Sequence, residues 1–228
     1  MHQVPLALAP EPLSSFDAFV PGTNTATVAL LRGCAPPTSP VYLWGPPGSG
    51  KTHLLHALAH ECQKSGLCVG WIDAAGSMSQ GFEPRWALLV LDDVHRLGAD
   101  AQHAAFALLV EAQAHGVPWA AAGSVPPVDL QLRDDLRTRI GWGQTFALEA
   151  LGEPETRAVL RREADRRGIF LSDDVMDYLL SRFERDLSFL MRLLDRLDGF
   201  AMSKSRAVTV PLLKLMLVEG AAATTMPP

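Results

Sequence analysis

Positive charge is in short supply: 20 Lys and Arg stand against 25 Asp and Glu, for a formal net charge of -5. That balance disfavours a broad basic surface that coats nucleic acid, although one local basic patch is compatible with it. Cysteines are few and odd in number. Cys34, Cys62 and Cys68 lack the paired CxxC spacing of a zinc site, so free or buried thiols in a reducing compartment are expected. No apolar run approaches the roughly 18 to 20 residues that span a bilayer, and the start MHQVPLALAPEP lacks the basic residues and small-residue cleavage site of a signal peptide. A cytoplasmic chain without membrane contact is expected. What the sequence does have is apolar bulk: 228 residues at 48% hydrophobic suffice for a sizeable core in one domain or in a larger domain with a small companion.

No internal repeat organises the chain, but composition divides it into a Pro-rich start to Pro12, a long middle and an Arg- and Asp-rich C-terminal part. In the middle, the apolar segments Val41 to Trp44, Val69 to Asp73, Leu88 to Asp92, Trp119 to Gly123 and Thr145 to Leu148 have strand length. Between them, Thr52 to Ser65 and Ala101 to His115 read as amphipathic helices stopped by Gly66 and Gly116. This alternation implies an α/β fold with a mostly parallel, five-stranded sheet covered by helices on both faces. After Gly152 only helices are expected: Glu153 to Arg167, Ser172 to Phe183, Asp186 to Phe200 and Val210 to Val218. The divisions that follow are a flexible segment 1–12, an α/β domain 13–151, a small helical unit 152–219 and a frayed tail 220–228.

Gly45 to Thr52, GPPGSGKT, satisfies GxxxxGK[ST] after an expected strand and before an expected helix. Gly45, Pro46, Pro47, Gly48, Ser49 and Gly50 would form a loop whose backbone N–H groups surround phosphate oxygens, with the helix N-terminus behind them. Lys51 would reach the β- and γ-phosphates of ATP, or the β-phosphate of ADP. Thr52 would offer a hydroxyl to Mg²⁺, and the strand LLVLDD ends in a second metal-side candidate, Asp92, and a water-orienting one, Asp93. His53, His56 and His60 share one helix, but there is no HExxH pair or carboxylate at matching spacing, so they are read as ordinary imidazoles.

A phosphate loop alone leaves kinases, GTPases and many ATPases open. The residues around it narrow the choice. FDAFVPGTN (Phe16 to Asn24), WGPPGSGKTHLLHA (Trp44 to Ala57), DDVHRL (Asp92 to Leu97) and LRTRIGWGQ (Leu136 to Gln144) resemble the matching stretches of the bacterial replication initiator DnaA and its relatives among the AAA+ P-loop NTPases. The likeness runs from about Phe16 to about Leu217. It implies an AAA+ α/β domain with an all-helical lid, an adenine pocket lined by Phe19 and Val20, His53 beside the nucleotide, and an arginine finger at Arg139, with Arg137 a competing candidate.

Three residues at two sensor sites depart from the family pattern. Ser124 and Val125 stand where the first sensor has an Asp-Arg pair, which leaves Ser124 as the polar contact there, and Ser188 stands where the second-sensor arginine is usual. Arg192 and Arg185 flank it at about one helical turn. These departures put the chain's own hydrolysis in doubt but not nucleotide binding.

Within the family, the chain resembles the short DnaA homologues that inactivate the initiator. QVPLAL, Gln3 to Leu8, is similar to the hexapeptide with which those regulators dock on the β sliding clamp of DNA polymerase III, with Pro5 at a Ser/Asp position and Ala7 at a Pro position. Gln3 would enter a polar notch, and Leu6 and Leu8 an apolar groove. The resemblance further implies DnaA as partner, a homodimer that hides the finger, and no direct sequence-specific DNA binding, there being no room for a helix-turn-helix domain. Two rivals stay open: an autonomous ATPase such as a helicase loader or truncated initiator, and an interaction module in which nucleotide is structural.

Overall fold

The computed structural model describes residues 14–73, 81–183, 186–204 and 206–224, without the side chains of 188 and 220–224. By their contacts the residues form two compact units, Met1–Gly45 with Gly50–Leu148, and Pro46–Ser49 with Glu149–Pro228. Among the described residues, no helix is long and apolar enough to cross a membrane.

The first unit is a parallel five-stranded sheet. Its strands are β1 (Val41–Trp44), β2 (Cys68–Asp73), β3 (Trp86–Asp92), β4 (Trp119–Gly123) and β5 (Gln144–Ala147), in the spatial order β2-β3-β4-β1-β5. Helices α1 (Thr25–Gly33), α2 (Lys51–Lys64), α3 (Ala99–Ala114) and α4 (Asp134–Ile140) accompany them. The central strands are short, continuous apolar runs because both faces are covered. Alternate side chains separate cleanly: Tyr42, Leu89, Leu91 and Ala121 join the cluster that holds Leu108, Leu109, Leu136 and Ile140. Val41, Leu43, Leu88, Val90 and Ala122 face Leu31, Leu54, Leu55 and Leu58. The period of two along each strand thus assigns α3 and α4 to one side and α1 and α2 to the other.

All five expected strands form, with β2 and β3 starting earlier than their apolar runs and β5 displaced by one residue toward the N-terminus. Gly66 and Gly116, expected as helix stops, and Gly168, just after the first expected C-terminal helix, take left-handed conformations at φ +76°, +69° and +71°, which a Cβ would penalise. Two helices, α1 and α4, were not expected from the sequence.

The second unit is all-helical, with α5 (Glu153–Arg166), α6 (Asp173–Arg182), α7 (Leu187–Lys204) and α8 (Val210–Thr224). Leu160, Val175, Leu179, Leu190, Leu194, Leu197 and Leu213 form its core. The Arg and Asp content of this part resolves partly into ion pairs between helices, Arg157 to Asp177 at 2.7 Å and Arg167 to Asp195 at 2.7 Å, with Arg167 also paired at 2.9 Å to Glu163 one turn back on α5. A pair with a well-exposed partner, such as Arg157 with Asp177, contributes about 0–1 kcal/mol, so the leucines hold the unit and such charges register its helices. The tail expected to fray after Glu219 instead continues α8 to Thr224, since VEGAAAT contains no helix breaker other than Gly220 and its alanines favour helix.

Candidate functional site: the phosphate loop and the turn after α4

The phosphate loop leaves the carboxyl end of β1, which lies between β4 and β5. Chain order reverses here: β2 and β3 follow β1 but lie beyond β4, whereas β5 lies on the other side. Crevices at such switch points are where open α/β sheets take ligands. Gly50 sits immediately before α2 at φ +90°, and a Cβ there would run into the ring of Phe19. Conformation and packing both demand glycine at this position. Thr52 is exposed in the first turn of α2, while Lys51 is 8% exposed and its Nζ donates to the Gly45 carbonyl at 2.8 Å. The ammonium thus spans the loop it follows.

Phe19 and His53 meet edge to face, with ring centroids 5.3 Å apart, and His53 Nε2 lies 2.8 Å from the Ser15 carbonyl oxygen. The Phe16–Asn24 stretch is therefore fixed to the start of α2 through these two residues. Val20 is half-buried beside Phe19 in the chain. His56 stacks on Trp71 at 4.1 Å, so two of the three helix histidines have contacts unrelated to metal binding. Among the described residues no group of three or more His, Cys, Asp or Glu is arranged to hold a metal by itself.

Asp92 ends β3 and is 8% exposed, with Oδ1 accepting the Asp93 N–H at 2.9 Å. Asp93 takes a left-handed conformation at φ +51°, a region Asp tolerates better than most side chains. Its carboxylate, 36% exposed, lies 3.5 Å from Arg96. Two adjacent carboxylates thus have different settings, one buried and one at the surface. Ser124 follows β4 and is half-buried; the next carbonyl, that of Val125, accepts a hydrogen bond from Tyr42 Oη at 2.7 Å. Burial raises the Tyr42 pKa above its ordinary value, because the phenolate would be desolvated. The strand pairing Trp44↔Gly123 brings the β1 and β4 ends side by side, so the loop and Ser124 leave the sheet at one edge.

The segment around Arg139 is α4 and the turn after it. Asp134 and Asp135 lie in the first turn of α4 and Arg137 and Arg139 in the last, charges that suit the helix dipole at each end. Leu136 and Ile140 are buried and hold the helix to the sheet. Arg137 pairs with Asp134 at 2.7 Å. Arg139 is held by neutral groups, the rings of Phe106 and Trp142 and the amide of Gln113. Those three were missed from the sequence; only the tryptophan between two glycines gave a local signal.

Gln3, Leu6, Leu8 and Arg185 lie outside the described residues, as does the side chain of Ser188. Arg192 is exposed on α7.

Comparison with known proteins matches each unit separately. The model of the Hda lid domain matches residues 153–217, and that of the bacterial DnaA ATPase domain matches residues 11–75. Domain III of the replication initiation protein DnaA from Thermotoga maritima is similar at a TM-score of 0.75 and 22% identity, over 91% of this chain and 97% of that one. DnaA from Aquifex aeolicus with bound AMPPCP is similar at a TM-score of 0.66 and 21% identity, over 81% and 64%. The RuvB Holliday junction branch migration motor of Thermotoga maritima follows at 0.62 and 19%, over 90% and 71%. At these identities the structural likenesses establish the AAA+ fold. The two domain matches, on this fold, support an Hda-like, DnaA-homologous AAA+ protein.

Proposed function

We propose that the protein is a negative regulator of chromosomal replication initiation that binds ADP or ATP, docks on the DNA polymerase sliding clamp through Gln3, Leu6 and Leu8, and stimulates hydrolysis of DnaA-bound ATP through Arg139. The observation that carries this reading is the contrast between the two arginines of α4: Arg137 is committed to Asp134, whereas Arg139 retains an unneutralised guanidinium among neutral partners. The match to the Hda lid domain supports the same choice.

In this reading, Gly45 to Lys51 hold the phosphates of the protein's own nucleotide, Phe19 and Val20 line its base, and His53 and Ser124 flank it. Thr52 and Asp92 would hold Mg²⁺; a hydroxyl and a buried carboxylate suit a cation that takes one or two protein ligands beside phosphate oxygens. When bound, Mg²⁺ neutralises charge on the β- and γ-phosphate oxygens. Arg139 acts elsewhere, on the triphosphate of DnaA, where a forked cation stabilises charge that develops in the transition state. A homodimer that covers this face would keep the finger from DnaA until the clamp recruits the protein.

The test is hydrolysis of DnaA-bound ATP with clamp loaded on DNA, with wild-type protein, Arg139→Ala and Gln3→Ala. Stimulation that requires clamp, Arg139 and Gln3 is expected. Loss with Arg139→Ala alone would discard clamp docking through the hexapeptide, and stimulation that survives Arg139→Ala would end the finger assignment. A second reading, an autonomous ATPase, is favoured by the intact set of Lys51, Asp92 and Asp93; ATP turnover by this protein alone, lost with Asp93→Asn, would establish it.

A further inference from the structure

Three neutral side chains surround Arg139. Its guanidinium carbon lies 4.9 Å from the centroid of the Trp142 ring and 5.3 Å from that of Phe106. Its Nη1 donates to Gln113 Oε1. Phe106 and Gln113 come from α3 and Trp142 from the turn after α4, so the cage is assembled across two elements. A ring face attracts a cation without using its N–H edge. The amide occupies one of the five guanidinium donors, which leaves four for a ligand and the full positive charge in place. A carboxylate at the position of Gln113 would neutralise that charge.

The tryptophan is itself anchored through its backbone. Trp142 N–H donates to the Arg139 carbonyl at 3.1 Å, and the Pro40 carbonyl accepts from Gln144 N–H at 2.9 Å. A Cβ on Gly143 would overlap the Pro40 carbonyl, and one on Gly141 would come within 3.4 Å of the Pro127 side chain. The turn is therefore pressed against the start of β1 by contacts that only glycine permits at 143. Even so, the Trp142 side chain is 50% exposed. An indole that is fixed by its backbone but left open to solvent adds little to the core, and its ordered face is occupied by Arg139.

We propose that Trp142, Phe106 and Gln113 are positioning residues that hold the Arg139 guanidinium ready for the terminal phosphate of a nucleoside triphosphate bound by a neighbouring AAA+ protomer. This rests on the finger reading above. A free arginine side chain would have to give up rotamer freedom as the transition state forms; one already held does not. The cage therefore acts on the rate of the stimulated reaction rather than on association with the partner.

The experiment compares stimulated hydrolysis of DnaA-bound ATP, with clamp loaded on DNA, as a function of the concentration of this protein, for wild type, Trp142→Leu, Trp142→Tyr, Gln113→Leu, Gln113→Glu and Arg139→Ala. Expected are a maximal stimulated rate about tenfold lower for Trp142→Leu, with the half-saturating concentration within about twofold of wild type, and recovery to within about threefold for Trp142→Tyr. Gln113→Leu, at an exposed position that tolerates substitution, is expected to lower the maximal rate in the same way, and Gln113→Glu more than Gln113→Leu. If Arg139→Ala abolishes stimulation while Trp142→Leu and Gln113→Leu stay within twofold of wild type, the finger stands and the cage is wrong. If Trp142→Leu instead raises the half-saturating concentration at an unchanged maximal rate, Trp142 is a partner contact and the proposal fails. Stimulation that survives Arg139→Ala would overturn both readings together.

Discussion

The phosphate loop and the end of α4 each lead to one cation of the first unit that the proposed function uses, Lys51 and Arg139, and they secure it by opposite means. Lys51 is nine-tenths buried at the start of a helix, tied to a backbone carbonyl of its own loop. Asp92, at the end of β3, is equally buried. Arg139 is held at the surface by two rings and an amide, beside Trp142 at 50% exposure and in the same region as Val128 at 78%. A group that serves the protein's own ligand gains from exclusion of water, because low local dielectric strengthens every charge interaction. A group offered to a second protein cannot be buried in the free chain. Its orientation then has to come from side chains that are rigid yet open to solvent, and aromatic rings meet that need.

The sharpest way to break this comparison is at Gly50. Gly50→Ala meets both a left-handed backbone and the Phe19 ring, so a loss of about 2–5 kcal/mol in stability is expected from strain and overpacking together, with nucleotide binding lost as well. Urea unfolding of the two proteins checks it, and an Ala variant within about 0.5 kcal/mol of wild type would mean that the loop adapts.

Lys51→Ala removes one charge-assisted interaction without touching the Arg139 cage, and is expected to weaken ATP binding by about 2–3 kcal/mol, or roughly 30- to 150-fold. Equilibrium titration with a fluorescent ATP analogue reads it. The helical content should not change.

A smaller effect separates the β4 end from the rest. Tyr42→Phe removes the bond to the Val125 carbonyl at an expected cost of about 1 kcal/mol. Because burial raises the folded-state pKa of Tyr42, the folded protein keeps a proton that the unfolded chain releases above about pH 10. Stability from this group is therefore complete below that pH and declines as pH rises above it. Urea melts between pH 8 and 11 should show a steeper fall for wild type than for Tyr42→Phe; equal slopes would contradict the burial argument.

The smallest change is expected in the second unit, where Arg166 holds the Glu163 carboxyl below its ordinary pKa. Glu163→Gln should cost no more than about 1 kcal/mol, since Arg166 is half exposed and the amide oxygen can still accept from Arg166 and Arg167. That contribution is present at neutral pH and fades as pH falls through the depressed value.

The sequence revealed the two regions unequally. The β1 strand, the GPPGSGKT loop and α2 are contiguous, so strand length, glycine spacing and helix onset all report one local geometry. The same holds for Asp92 and Asp93 at the end of an apolar run. Helix α4 escaped because its seven residues, DDLRTRI, are mostly charged and too short to display more than one apolar pair, Leu136 and Ile140. Helix α1 escaped because its first turn, TATV, is rich in β-branched residues, which favour strand. The Arg139 cage was invisible for a different reason. Gln113 and Phe106 reach Arg139 only after α3 and α4 have packed on the same face of the sheet, and no local pattern reports a contact across 26 residues of chain. The charged helices of the second unit were legible in outline, but their ion pairs again join residues distant in sequence.

The central claim is that the two cations serve different nucleotides, and the Arg139→Ala protein tests it in two assays. The first measures its own affinity for ATP, and the second measures hydrolysis of DnaA-bound ATP with clamp loaded on DNA. Affinity within about twofold of wild type, with hydrolysis reduced to the rate of DnaA without this protein, is the expected result; fingers of this kind are worth about 10³ to 10⁵ in rate in other phosphoryl-transfer systems. Weakened binding of the protein's own ATP, or unchanged stimulation of DnaA, would contradict it.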